Sequence, residues 1–246
     1  MLKWFMADLH IHTCLSPCGD LQMTPQKIIR QALERKLDII AITDHNSGRN
    51  LKPIIKLGSQ NGLSIIPGME ICSSEEVHVL GFFGSIDSAA EMQNIVYENL
   101  SGENDPDIFG MQVIGNESDE VEGFENKLLI GAVDLTLEEI VNHIHQLDGI
   151  VIASHIDRES YSVIGQLGFI PDSVKFDGLE VSASLPKEKL DQLKVEFSNY
   201  QLIQNSDAHF LNDIGKCTTQ FFIKEPTFEE IKKAFKKING RKISIN

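Results

Sequence analysis

Two pairs of residues, each set one apart, define the chemistry open to this chain. His10 and His12 stand in "DLHIHT", and Asp207 and His209 in "NSDAH". On a β-strand, side chains two positions apart leave the same face, so each pair directs two donors into one region. Neutral imidazole and carboxylate together suit Zn²⁺, Mn²⁺ or Fe²⁺, and a carboxylate can bridge two ions. Further donors stand on or just beyond strand-like apolar runs: His45 after "IIAITD", Glu70 after "IIPGM", His78 opening "VHVLGFFG" and His155 closing "GIVIASH". One zinc takes roughly three or four ligands, so this surplus points to two or three ions.

Context separates these residues from others of the same type. His143 and His145 repeat the one-apart spacing but fall in the helical pattern "LTLEEIVNHIHQL". Two residues on a helix span about 200° of rotation, so these rings diverge and are excluded. Cys14 and Cys72 read as small apolar packing residues. "CLSPC" resembles half of a zinc knot, but no second Cys pair exists to close it. Asp44 is expected to orient a neighbouring histidine rather than ligate an ion itself.

The elements that must position these donors alternate in type. "WFMADLHIH", "DIIAITDH", "LSIIPGMEI", "VHVLGFFG", "GIVIASH", "GLEVS", "QLIQNSDAH" and "TTQFFI" read as short strands, near-continuously apolar as in a buried parallel sheet. "TPQKIIRQALERKL" reads as a helix with Thr24 as N-cap and Pro25 at its first position. This rhythm predicts an α/β barrel in one domain spanning residues 1–246, with the donors at the C-terminal ends of the strands, where barrel active sites are built. Residues 84–131, polar, acidic and rich in Gly and Asn, interrupt the rhythm and read as an insertion or mobile loop.

Composition narrows the partners. The formal charge is −14, and the interval between Lys56 and Lys127 has no Lys or Arg. Fourteen acids fall there, leaving the remainder of the chain balanced. Such a surface repels long nucleic acid, so a short anionic substrate held through metal ions is expected. The basic tail "IKKAFKKINGRK" reads as the solvated face of a last helix. Four cysteines are too few for a disulfide scaffold, no run is long enough for a membrane span, and the N-terminus has no signal-peptide pattern, so a cytoplasmic location is expected.

In order along the chain, "DLHIHT", "ITDHN", "PGMEI", "VHVLGFF", "ASHIDR" and "NSDAH" resemble the motifs of the polymerase and histidinol phosphatase (PHP) family. The resemblance runs from residue 8 to about 215 and is weakest over the acidic segment. It implies a distorted seven-stranded (β/α) barrel with a trinuclear metal site that hydrolyses phosphoesters. By position it implies that His10, His12, Glu70 and Asp207 hold one ion and that Glu70 bridges to a second, shared with His78 and His155. His45 and His209 would hold the third, with a residue from the loop after "DLHIHT". The commoner family pattern has Asp or His soon after the second histidine, whereas this chain has Ser16, Pro17, Cys18, Gly19 and Asp20. On ligand hardness Asp20 is preferred there over Cys18.

The reaction expected is hydrolysis of a phosphomonoester or small phosphodiester, such as a nucleotide, a short oligonucleotide or a phosphorylated metabolite. Metal ions would activate water and neutralise charge. Arg158 in "SHIDR", and more weakly Arg49 after "TDHNSG", are candidates to fork a phosphate. Asp207 and His209 are candidates to assist proton transfer as well as ligation. A non-catalytic metal-binding module and a metal-dependent hydrolase of a non-phosphate bond are the competing readings.

Overall fold

The apolar runs become a nine-stranded sheet. In chain order the strands are β1 (Lys3–Ile11), β2 (Ile39–Ile42), β3 (Ser64–Cys72), β4 (His78–Phe82), β5 (Val113–Gly115), β6 (Val121–Phe124), β7 (Ile150–Ala153), β8 (Gly178–Val181), β9 (Gln201–Gln204), β10 (Thr219–Ile223) and β11 (Lys242–Ile245). The helices are α1 (Pro25–Glu34), α2 (Leu51–Asn61), α3 (Ile86–Asn99), α4 (Pro106–Phe109), α5 (Leu137–Gln146), α6 (Val163–Leu167), α7 (Lys187–Glu196) and α8 (Phe228–Phe235). This computed structural model describes residues 1–245.

Spatial order in the sheet is β11-β10-β1-β2-β3-β4-β7-β8-β9, with β5 and β6 forming a separate hairpin. The end strands β9 and β11 lie side by side, although no ladder joins them among the described residues. The sheet therefore curls into a nearly closed barrel. Alternate residues divide between its two faces. Ile39 and Ala41 of β2, and Ile150 and Ile152 of β7, pack inside with Phe5, Phe82 and Phe221. Ile40, Ile42, Val151 and Ala153 face the outer layer of helices, meeting Ile28 and Ile29 of α1 and Ile140 and Ile144 of α5. The apolar face of α8 (Phe228, Ile231, Phe235) belongs to the interior cluster.

Two expectations need correction. The main sheet has nine strands, not seven, and it is mixed rather than parallel. β1, β2 and β3 run parallel, as do β7, β8 and β9, but β4 pairs antiparallel with both β3 and β7. A parallel crossover needs about a dozen residues or more. The Ser73–Val77 link between β3 and β4 is far shorter, so only a hairpin can form. At the other edge β1, β10 and β11 are also antiparallel.

Residues 84–131, read as an insertion or mobile loop, carry α3, α4 and the β5–β6 hairpin. α3 starts at Ser85, whose hydroxyl accepts from Ser88 N, and it buries Ala89, Met92 and Val96. Two asparagines beyond β2 tie the rest of the segment to the barrel rim. Asn46 Nδ2 donates to the carbonyls of Leu129 (2.8 Å) and Gly131 (2.7 Å). Asn50 donates to Val113 O and accepts from Gly115 N, both near 3 Å. α1 begins at Pro25, but the Thr24 hydroxyl donates to Asp119 Oδ2 (2.7 Å) instead of capping its own helix.

Candidate metal centre

The barrel's strand ends bring the six histidines of the motifs, Glu70 and Asp207 together. β1 delivers His10 and the residue after its end, His12, both fully buried. Its ladder with β2 is irregular between Asp8 and Ile11, the kind of local break found beside sites that must aim a side chain. β3 delivers Glu70 and β4 opens on His78. His45, His155, Asp207 and His209 follow β2, β7 and β9. His155 (φ 28°) and Asp207 (φ 49°) hold left-handed backbone conformations that disfavour residues with a Cβ. Strain of this kind collects where geometry serves function.

Glu70 is the hub. Its Oε1 lies 3.2 Å from His78 Nδ1, 3.4 Å from His10 Nε2 and 3.5 Å from His155 Nε2. Its Oε2 lies 3.2 Å from His45 Nδ1 and 3.4 Å from His12 Nε2. Asp207 Oδ1 adds a second carboxylate, 3.3 Å from His10 Nε2 and 3.4 Å from His12 Nε2. Ligands tetrahedrally placed at about 2.1 Å from one ion stand about 3.4 Å apart, the spacing seen here. Glu70 Oε1 is buried without a hydrogen-bond partner. Buried polar atoms are rarely left so, and this one sits where a cation would satisfy it. The donor set therefore fits divalent ions.

Neighbouring groups fix which nitrogen of each ring faces the centre. Glu180 of β8 is a carboxylate that can only accept, so His10 Nδ1 carries the proton it donates to Oε2 (2.9 Å). Glu180 is itself held by Asn205 Nδ2 (2.8 Å) and His155 N (3.2 Å). Ser16 Oγ donates to Asp44 Oδ1 (2.7 Å) and so accepts from His12 Nδ1 (3.0 Å). Asp44 thus acts on His12 through Ser16, and also accepts from the backbone and hydroxyl of Thr13. His209 Nδ1 donates to the Asp207 carbonyl (2.9 Å), leaving Nε2 free to ligate. Partners of this sort orient metal-binding imidazoles and raise their basicity.

The buried acids and bases of the cluster shift one another. Burial favours a neutral carboxyl at Glu70, yet His78 and His10 hold it well below its usual range. Burial likewise opposes charge on His10, but Glu180, Asp207 and Glu70 raise it well above normal. Burial and the facing imidazoles push His45 well below its ordinary value, and His209 down to about 4. Burial, with Glu70 next, pushes the Cys18 thiol up to about 12.

The donors line a cavity of about 180 Å³, walled by His45, Glu70, His78, His155, Asp207 and His209, with Cys18, Ile130, Arg158 and Tyr161 around them. Arg158 Nη2 donates to Asp207 Oδ2 (2.7 Å) and is 44% exposed, so the guanidinium reaches both the centre and solvent. Two sequence candidates are not brought in. The Asp20 carboxylate accepts from Gln22 N (2.7 Å) and belongs to none of the groups of converging donors. It is Cys18 from that loop that joins His12, His45 and His209. Arg49 faces Glu125 (3.6 Å) and does not line the cavity. His145 pairs with Asp177 (3.1 Å) on α5, away from the centre, and Cys14 and Cys72 are buried packing residues.

Sequence reading missed Glu180, Ser16 and Tyr161, whose ring stacks on His78 with centroids 4.6 Å apart. Glu180 had a signal, as the single acid in the apolar strand "GLEV". The other two had none.

A family model described as PHP domain matches residues 8–238. The chain belongs to the PHP family. Among curated relatives, the 5'-3' exoribonuclease Rnm of Escherichia coli (strain K12) is 35% identical over 79 residues, covering 30% of this chain and 26% of Rnm. The phosphoribosyl 1,2-cyclic phosphate 1,2-diphosphodiesterase of Eggerthella lenta is 29% identical over 79 residues, 30% of this chain and 29% of the enzyme. The lesion-specific endonuclease Q of Pyrococcus furiosus superposes with a TM-score of 0.73 at 25% identity, over 98% of this chain and 58% of that one. This PHP chain thus spans under a third of those two curated relatives and under two thirds of endonuclease Q. Among the described residues no helix is long and apolar enough to cross a membrane.

Proposed function

We propose that this PHP domain is a metal-dependent phosphoesterase that hydrolyses a nucleotide, a nucleic-acid end or a phosphorylated metabolite. The observation that carries it is Glu70, a buried carboxylate faced by five imidazole nitrogens with one oxygen unpartnered. The nuclease and diesterase names of its relatives support the choice of phosphoester over other bonds.

His10, His12, Glu70 and Asp207 form the first ligand set, Glu70, His78 and His155 the second, and His45 and His209 belong to a third. Zinc, manganese or iron, when bound, supplies charge for the phosphoryl oxygens and the Lewis acidity that makes water nucleophilic near neutral pH. The chain's own part is positioning. Glu180 and the Ser16–Asp44 pair keep His10 and His12 aimed, so little reorganisation accompanies the reaction. Arg158, released from Asp207, forks the phosphate that enters beside it. His209 is held by the bond from Nδ1 to the Asp207 carbonyl, so Nε2 is presented to the third set.

The cavity opens to solvent beside Arg158 and Tyr161, where a phosphate can enter. The absence of any Lys or Arg between Lys56 and Lys127 argues against a long cationic track beside it.

Protein loaded with Mn²⁺ or Zn²⁺ should hydrolyse at least one of p-nitrophenyl phosphate, bis-p-nitrophenyl phosphate, a nucleotide panel or a short end-labelled oligonucleotide. A His10→Ala, Glu70→Ala double variant is the background. Turnover no greater than that background on every substrate removes the proposal. Metal analysis is a separate check, in which fewer than two ions per chain contradicts the cluster.

A further inference from the structure

We propose that the Cys18 thiolate, with His45 and His209, forms a zinc-selective subsite within the centre. This rests on reading the centre as metal-binding and adds to it a ligand and a metal preference. Cys18 Sγ and one nitrogen each of His12, His45 and His209 lie within 4.8 Å of one another. Glu70 lines the same cavity as Cys18 and turns Oε2 to His45 Nδ1 (3.2 Å) and His12 Nε2 (3.4 Å).

The loop is built to present Cys18 and to withhold Asp20. Ser16 O accepts from Gly19 N (2.8 Å), so Pro17 and Cys18 are the central residues of a tight turn. Proline suits the first central position, where its ring fixes φ. A Cβ on Gly19 would lie 2.4 Å from Thr13 O, so only glycine closes the turn this tightly. Asp20 N then donates to His209 O (2.9 Å), tying the turn to the loop that carries another ligand. On the outer side Gly110 lies so close to Pro17 that a Cβ would meet its carbonyl at 2.6 Å. The Asp20 side chain folds forward along the chain and accepts from Gln22 N.

Donor counting assigns the members. His12 offers only Nε2, because Nδ1 is engaged with Ser16, and Nε2 lies within 3.4 Å of both Glu70 and Asp207 in the first set. His45 turns Nδ1 to Glu70 Oε2 (3.2 Å) but keeps Nε2 unengaged, so Cys18, His45 and His209 are assigned to the subsite. Three protein donors, one short of a tetrahedral set, is the pattern of a catalytic rather than a structural zinc. A thiolate softens the subsite and favours zinc over manganese, while the two sets that share the Glu70 carboxylate keep a hard donor. On binding, the thiol proton passes to solvent.

The test strips the full-length protein with a chelator and titrates it with Co²⁺ as an optical probe. Thiolate-to-cobalt charge transfer should appear in the near-ultraviolet for the native protein and vanish in Cys18→Ser, which should also bind one fewer Zn²⁺ per chain. The turn is held by backbone hydrogen bonds that do not use the Cys18 side chain, so the variant should fold. Cys18→Asp should restore the stoichiometry but with Mn²⁺ preferred over Zn²⁺, and Asp20→Asn should keep both band and stoichiometry. A native protein that binds three ions without the band overturns the thiolate and leaves the phosphoesterase reading standing, as does a band that survives in Cys18→Ser. Loss of an ion in Asp20→Asn would hand the position to the carboxylate. A native protein that binds no ion at all overturns both.

Discussion

Two glutamates at opposite ends of the barrel are equally hidden and differently used. Glu70 is 1% exposed and Glu230 is 3% exposed, and both carboxyls are held below their usual range. Glu230, on α8 beside the first residues of β1, brings its own cations. It accepts from Arg241 Nε (2.7 Å) and Nη2 (2.8 Å), Lys233 Nζ (3.1 Å) and Lys224 N (2.9 Å). Every oxygen is satisfied by a permanent cation or a backbone donor, as a structural buried carboxylate requires. Glu70 faces imidazoles, none of which is a permanent cation like Arg or Lys, and one of its oxygens has no partner. A carboxylate buried without its own cation is a demand for one from outside. Glu180 stands between the two cases, satisfied by His10, Asn205 and His155 N, yet touching the centre through His10.

Neutralising each glutamate in turn should therefore give three different phenotypes. Glu70→Gln is expected to cost the most. It removes the charge that all five imidazoles face, so hydrolysis of bis-p-nitrophenyl phosphate should fall by about 10³-fold, the upper range for losing one preorganised electrostatic group. The rise in melting temperature that Zn²⁺ or Mn²⁺ gives the native protein should shrink with it. An unchanged metal-induced rise would show that Glu70 serves the fold alone, like Glu230, and the contrast would collapse.

Glu180→Gln should be milder. The amide oxygen can still accept from His10 Nδ1, but the carboxylate charge that raises the ring's basicity is gone. Losses in metal affinity of about 10–100-fold are typical for such a partner. Isothermal titration of Zn²⁺ into chelator-stripped protein measures this directly. A variant with native affinity would place Glu180 with Glu230 as a fold residue.

These contrasts also show what the sequence could carry. The donors were readable because β2, β4 and β7 are apolar runs and β1 and β3 mostly so, and a polar residue within or beside such a run stands out. Glu180 follows the same rule, yet its partner His10 lies 170 positions away and only the closed sheet joins them. The choice between Cys18 and Asp20 turned on ligand hardness in the sequence, whereas the turn through Ser16 and Gly19 decides which side chain arrives. The antiparallel β4 was legible from the five-residue link that precedes it, once strand ends were known. The anchoring of residues 84–131 was not, because it depends on the single side chains of Asn46 and Asn50 from another part of the chain.

Glu230→Gln should have the smallest effect, and on stability alone. At neutral pH the variant keeps one acceptor for Arg241 and loses the charge, a cost of about 1–3 kcal/mol for a hydrogen-bonded charged group. For a chain this long that is a fall in melting temperature of about 2–4 °C for each kcal/mol. Metal binding and turnover should not change, since α8 lies at the other end of the barrel. The pH dependence gives a sharper test than the size of the loss. The hydrogen bond from Arg241 is the largest influence taking the carboxyl from its ordinary 4.5 to about 2 in the folded protein. A depressed carboxyl contributes stability that is fully present above the unfolded value and disappears as pH falls through the folded one. The gap in melting temperature between native protein and Glu230→Gln should therefore hold constant from neutrality down to about pH 5 and close progressively toward pH 2. A gap that stays constant across that window would mean the pair contributes packing rather than charge. Glu230 would then no longer serve as the counterpart in which a buried carboxylate is stabilised by cations of its own.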